Sequence, residues 1–130
     1  MFLIIGLCSI VTILLVACSS SRSGDSTTTT GTTQNAVHMN DSNFIQSSIT
    51  IKKGGSVTLI DDDLTTPHII ANGTWKNEIP TAAKEPGAPA VKDIQINANS
   101  SGSIGPFTTA GTFKFYCTIH TDMNLTVIVQ

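Results

Sequence analysis

The sequence predicts an all-β protein, a two-sheet β-sandwich with Greek-key connections in one domain. From residue 36 onward, short runs rich in β-branched and aromatic residues alternate with Gly, Pro, Asn and Asp, a pattern typical of strands and turns. No window carries an apolar stripe at helical spacing over a useful length. The 130 residues have room for one modest core and not for a two-domain enzyme.

About seven short strands are expected in this part of the chain. Gly54 and Gly55 form a turn between two of them, and Asn72-Gly73 forms another turn. Residues 80–90 hold three of the five prolines and are expected to be a loop. The predicted strands are 36–39, 49–51, 56–60, 68–71, 91–97, 112–117 and 125–130, with 103–107 as a short edge segment.

The first 17 residues are almost wholly apolar and read as a signal peptide. Leu15-Val16-Ala17-Cys18 resembles a bacterial lipobox, which implies lipid attachment at Cys18, although no Lys or Arg precedes the apolar run. The alternatives are an uncleaved membrane anchor and simple cleavage. All three place the domain outside the cytoplasm, and lipid attachment would hold it at the extracytoplasmic face of a bacterial cell membrane.

Residues 18–35 are rich in Ser and Thr and hold too little apolar surface to build a core, so we interpret them as a flexible tether. Residues 36–130 then form the folded domain. Charged residues make up 12% of the chain and the net charge is −2, without a basic patch, so nucleic acid is not an expected partner. Only Cys117 falls in the domain, which excludes a disulfide within it.

The strongest functional signal is the run Cys117-Thr118-Ile119-His120-Thr121-Asp122-Met123, with the spacing C-x2-H-x2-M. The three possible ligands lie between two predicted strands, so one short loop carries them all. His68 lies at the end of an earlier loop. Two imidazoles and a thiolate with a weak axial thioether suit copper as both Cu(I) and Cu(II), so one geometry serves both states.

The strand before this loop predicts a buried cysteine. Phe113, Phe115 and Cys117 share one face because side chains alternate along a strand. Two phenylalanines mark that face as the core side. Leu125 and Val127 repeat the pattern on the last strand, so the loop between the two strands must be short.

The sequence from about residue 44 to 130 resembles the cupredoxins, the small blue-copper proteins that include plastocyanin and amicyanin. The resemblance rests on the C-x2-H-x2-M loop of the short amicyanin type, on Pro67-His68, and on the Gly-Thr-aromatic approach at 111–113. The family often has Asn, Pro and Gly where this chain has Ile69, Thr121 and Asp122.

The resemblance implies one copper ion bound by four residues, which carries single electrons between extracytoplasmic redox proteins. It implies no enzyme activity, and we expect a monomer that the lipobox-like sequence tethers to the membrane by its lipid. Cys117 and the two histidines would form the strong plane, with a thioether on the axis and His120 nearest the surface. The implied ligands are His68, Cys117, His120 and Met123.

Two other functions use the same residues. The chain could be a copper carrier or store, or a structural sandwich whose site is vestigial. Among the remaining residues, His38 is expected to be structural or exposed, and Trp75 to pack in the core or a loop. Asp61-Asp62-Asp63 is either a solvated turn or a negative cluster that attracts a basic redox partner.

Overall fold

A computed structural model describes residues 35–130. The predicted signal peptide, Cys18 and nearly all of the predicted tether lie outside these residues. No helix within residues 35–130 is long and apolar enough to cross a membrane. The strands are β1 (Ala36–Asn40), β2 (Asn43–Phe44), β3 (Ser48–Ile51), β4 (Val57–Asp61), β5 (His68–Lys76), β6 (Ile79–Ala82), β7 (Ile94–Ile96), β8 (Ser101–Ile104), β9 (Gly111–Cys117) and β10 (Asn124–Val129).

The strands form two sheets, which confirms the predicted all-β sandwich. One sheet has the order β2-β1-β4-β8, and the other has the order β3-β10-β9-β5-β6, with β7 paired to β5. β1 pairs with β4 in parallel, and β3 pairs with β10 in parallel. These parallel pairs connect strands that are distant in sequence. The start of β5 lies beside the end of β9 through the pairing of Ile70 with Cys117, and the approach of Asp61 to His68 brings the end of β4 to the same place.

Alternating side chains from both sheets build the core. In β4 and β10 every second residue is buried. Phe113, Phe115 and Cys117 are all buried, as their strand phase predicts. Phe107, from the segment after β8, packs against both phenylalanines with ring centroids 5.8 Å apart. The apolar wall behind Cys117 is therefore part of the main core.

The predicted turn at Asn72-Gly73 is wrong, because both residues lie inside β5. Asn72 is paired with Phe115, and its buried amide accepts a hydrogen bond from the Val91 N–H and donates one to the Pro89 carbonyl. The turn comes five residues later, at Asn77 and Glu78. Both have positive φ, 52° and 62°, as a two-residue turn that matches strand twist requires.

Several other details differ from the sequence-based expectations. β6 occupies the start of the predicted 80–90 loop, and Pro80 is tolerated there because β6 lies at the edge of its sheet. The Gly54-Gly55 turn does exist, but the strands it joins, β3 and β4, lie in different sheets and do not pair. The predicted 91–97 strand is shortened to β7, and the very short β2 was not predicted.

Candidate metal centre

The loop between β9 and β10 holds three of the four predicted ligands. Cys117 ends β9, and Met123 lies one residue before β10. The loop closes on itself, since the Cys117 N–H donates to the Met123 carbonyl at 3.0 Å and the Met123 N–H donates to the His120 carbonyl at 3.3 Å. Asp122 has a φ of 60°, which turns the chain back toward β10.

His68 is the first residue of β5, which is antiparallel to β9. The pairing places Ile70 opposite Cys117, so His68 lies just beyond the end of β9. The Thr118 N–H donates to the Ile69 carbonyl at 2.8 Å and fixes the two ligand segments to each other. Strand pairing therefore sets the spacing between the His68 loop and the Cys117 loop.

The structure brings together His68, Cys117 and His120. The two Nδ1 atoms are 3.2 Å apart, and the Cys117 Sγ lies 3.4 Å from the His120 Nδ1. One ligand atom from each residue lies within 4.8 Å of the others. Nitrogen and thiolate ligands bind a zinc ion at about 2.0–2.3 Å, so donors at this spacing fit around one metal ion of similar size.

The four predicted ligands differ in exposure. His68 and Cys117 are 0% exposed, and Met123 is 1% exposed. His120 is only partly buried, so it is the one of the four that reaches the surface, as expected. A soft thiolate and thioether with two imidazoles is a donor set that suits Cu(I) and Cu(II). The residues present thus fit a single copper ion.

Asp61 is buried and therefore does not belong to a solvated turn, which was one of the two expectations for the acidic run. It ends β4, is 2% exposed, and its Oδ2 lies 3.8 Å from the His68 Nε2. Burial lowers the pKa of His68, and the nearby His120 lowers it further, while Asp61 and the Asn40 main chain oppose the shift. Asp62 is exposed and pairs with the exposed His38 at 2.8 Å, as a structural or surface role for His38 predicts.

The segment that leads to His68 is held by Asp63. Its Oδ1 accepts hydrogen bonds from the N–H groups of Thr65 and Thr66, at 2.6 Å and 2.7 Å. A hydrogen bond from the Asp41 carboxyl and these two N–H groups hold the pKa of Asp63 below its usual range. The aspartate thus caps a tight turn and directs the chain into β5.

Two further residues brace the ligand loop, and neither was assigned to the site from the sequence. Trp75 Nε1 donates to the Cys117 carbonyl at 2.7 Å. Asn124, which follows Met123, accepts from the Trp75 N–H at 2.7 Å and donates to the Trp75 carbonyl at 3.2 Å. Trp75 also meets Tyr116 edge to face, with ring centroids 6.1 Å apart. The β5–β6 hairpin thereby holds both ends of the loop.

A two-sheet sandwich with this soft donor set at one end defines a mononuclear copper protein of the blue type. In agreement, the family model described as "Copper binding proteins, plastocyanin/azurin family" matches residues 31–130. The chain therefore belongs to this copper-binding family. A comparison with curated proteins found no match.

Solved amicyanin structures share the fold. Amicyanin from Paracoccus versutus has 23% sequence identity and a TM-score of 0.55, with 73% of this chain and 79% of that chain covered. A reduced Cu(I) amicyanin mutant at pH 4 has 23% identity and a TM-score of 0.55, with coverages of 73% and 80%. Another Cu(I) mutant has 22% identity and a TM-score of 0.56, with coverages of 75% and 83%.

Proposed function

We propose that this protein carries single electrons between redox proteins outside the cytoplasm. His68, Cys117 and His120 would form the strong ligand plane, with Met123 on the axis. Copper, when bound, supplies the change between Cu(I) and Cu(II). The protein residues hold the ligands in place, exclude water and expose one edge of the site. We infer no enzyme activity, and we expect the protein to act as a monomer.

The observation that carries this proposal is that the fold itself assembles the donor atoms. The His68 and His120 Nδ1 atoms are 3.2 Å apart, and strand pairing, Trp75 and Asn124 fix the loops that carry the ligands. Loops held in this way would keep one ligand geometry in both oxidation states. Such a site favours fast transfer of an electron over transfer of the ion.

The surface near His120 suits contact with another protein. Ile119, its neighbour in the chain, is 50% exposed. An exposed apolar side chain next to a partly buried ligand would let a partner protein approach while water is excluded. We expect this surface, with His120, to be where electrons enter or leave.

A visible absorption spectrum of the full chain tests the proposal. After one equivalent of Cu(II), we expect an intense blue thiolate-to-copper band that ascorbate bleaches and oxidation restores, together with a reversible voltammetric wave. Cys117→Ala should abolish the band, whereas His38→Ala, which changes a histidine outside the site, should leave it intact. Binding of Cu(I) alone would favour a carrier, and no binding of either ion would indicate a structural sandwich.

The location is a separate part of the proposal. We propose that the chain is tethered to the extracytoplasmic face of a bacterial membrane by a lipid on Cys18, which lies outside the described residues. The sequence Leu15-Val16-Ala17-Cys18 supports it. Fractionation of cells that express the parent and Cys18→Ala tests it. Equal membrane association of the two chains would contradict a lipid anchor.

A further inference from the structure

Two buried polar atoms beside the copper ligands have no hydrogen-bond partner. Within the described residues these atoms are Asp61 Oδ2 and His68 Nε2. They face each other at 3.8 Å, and both side chains are fully buried. This distance is too long for a hydrogen bond. Burial of a polar group without a partner is costly, so the pair calls for an explanation.

The orientation of the His68 ring offers an explanation for this pair of atoms. The His68 Nδ1 is the atom that faces the His120 Nδ1, so the opposite ring nitrogen, Nε2, points away from the site toward Asp61. A histidine that binds a metal through one nitrogen carries its proton on the other, and that N–H is almost always donated to an acceptor. Asp61 Oδ2 is a buried acceptor with no other partner.

We propose that, in the copper-loaded protein, Asp61 is a positioning residue whose carboxylate accepts a hydrogen bond from the His68 Nε2–H and lowers the reduction potential of the copper. This inference rests on the proposed copper function. The carboxylate fixes the tautomer and orientation of His68. Its negative charge, buried next to a ligand, stabilises Cu(II) more than Cu(I) because Cu(II) carries the larger charge. Asp61 therefore lowers the reduction potential.

The carboxylate is itself held in place. Its other oxygen, Oδ1, accepts a hydrogen bond from the Asp63 N–H at 3.0 Å, and Asp63 caps the turn that leads to His68. One short segment thus connects the carboxylate with the histidine that it faces. The adjacent Asp62 is exposed and paired with His38, so it offers a matched control with the same change of charge.

The test compares the parent full chain with Asp61→Asn and Asp62→Asn, each loaded with copper. An asparagine side chain would keep the shape and the Oδ1 acceptor but lose the charge. We expect Asp61→Asn to keep the blue band and to bind Cu(II) about 10- to 100-fold more weakly, the usual effect of losing a partner of a metal-binding histidine. At unchanged Cu(I) affinity, each tenfold loss raises the potential by about 59 mV. Asp62→Asn should shift it much less.

Equal potentials in the two variants would overturn the inference and leave the copper function standing. A parent chain that takes up no copper would overturn both. A second measurement needs no variant. In the ¹⁵N-labelled Cu(I) form, His68 should show one tautomer with its proton on Nε2, protected from exchange with water. A proton that exchanges freely would also contradict the proposal.

Discussion

Trp75 lies against the main chain of Cys117, and its indole N–H donates to the Cys117 carbonyl at 2.7 Å. The two residues are far apart in sequence and meet because β5 continues past Gly73 and carries the β5–β6 hairpin over the end of β9. The only tryptophan of the chain thus supports the main chain at the proposed copper ligand. Its position explains why an aromatic residue with a hydrogen-bond donor is present on this hairpin.

Loss of this hydrogen bond should weaken the fold. We expect Trp75→Phe to lower the free energy of unfolding of the metal-free chain by about 1–3 kcal/mol, because a buried carbonyl loses its donor. Tyr116→Phe is the control, since it keeps the ring against Trp75 and removes a hydroxyl. Urea unfolding followed by circular dichroism measures both. Equal stability of Trp75→Phe and Tyr116→Phe would show that the hydrogen bond contributes little.

The close packing at Gly73 gives a second prediction. Gly73 has a φ of +136°, and a Cβ there would lie 2.2 Å from the Thr81 carbonyl oxygen and 2.8 Å from the Tyr116 ring. We expect Gly73→Ala to cost about 2–4 kcal/mol of stability through this clash and the strained backbone.

The control for this change is Gly54→Ala. Gly54 also has positive φ, +91°, but nothing lies within 4 Å of its would-be Cβ. We expect it to cost only about 1 kcal/mol, from backbone strain alone. Thermal unfolding of both variants measures the difference. A similar loss in each would mean that the hairpin can shift to admit a methyl group.

The burial of β9 could be predicted from the sequence, whereas the conformation of Asn72-Gly73 could not. Strand phase predicted that Phe113, Phe115 and Cys117 are buried, because alternation is a local property of a strand. The Asn72-Gly73 pair has the composition of a turn, but the long-range pairing of Asn72 with Phe115 and its bonds to the 89–91 segment override that preference. Local propensity cannot report contacts of this kind.

The difference between local and long-range contacts also explains which site residues could be predicted from the sequence and which could not. Cys117, His120 and Met123 lie in one loop, so their spacing is visible in the sequence. Asp61 looked like part of a solvated acidic run, and only the fold shows that it is buried against His68. Asn124 lies just before the predicted strand 125–130, and nothing in the sequence distinguishes it. Its three hydrogen bonds to Thr74 and Trp75 depend on the folded hairpin.

Burial of His68 makes the metal-free chain sensitive to acid. Since burial lowers its pKa below the ordinary 6.5, the unfolded chain binds more protons than the folded one as pH falls. His68 therefore contributes its full stability above about pH 6.5 and loses it progressively below that value, by at most about 1.4 kcal/mol per pH unit.

Urea unfolding of the metal-free chain at several values between about pH 5 and pH 8 measures this slope, above the range in which ordinary carboxyl groups titrate. We expect His68→Gln to flatten the slope, and His38→Gln, which replaces an exposed histidine, to retain it. If His68→Gln keeps the slope of the parent, another group is responsible for the acid sensitivity.

The last prediction concerns Met123, for which burial and loop position support the axial role. Met123→Leu conserves volume, so it should change the stability of the metal-free chain by less than about 1.5 kcal/mol.

Removal of the Met123 thioether should still alter the copper-loaded protein, because the axial ligand tunes the potential of such sites. We expect a higher reduction potential. The three-ligand plane that remains suits Cu(I), whereas Cu(II) loses more stabilisation when one ligand is removed. Met39→Leu is the matched control, because Met39 is as well buried as Met123 but lies in β1 and is not one of the predicted ligands. Voltammetry and visible spectra of both variants decide the matter: equal spectra and potentials in the two would show that Met123 packs in the core without binding copper.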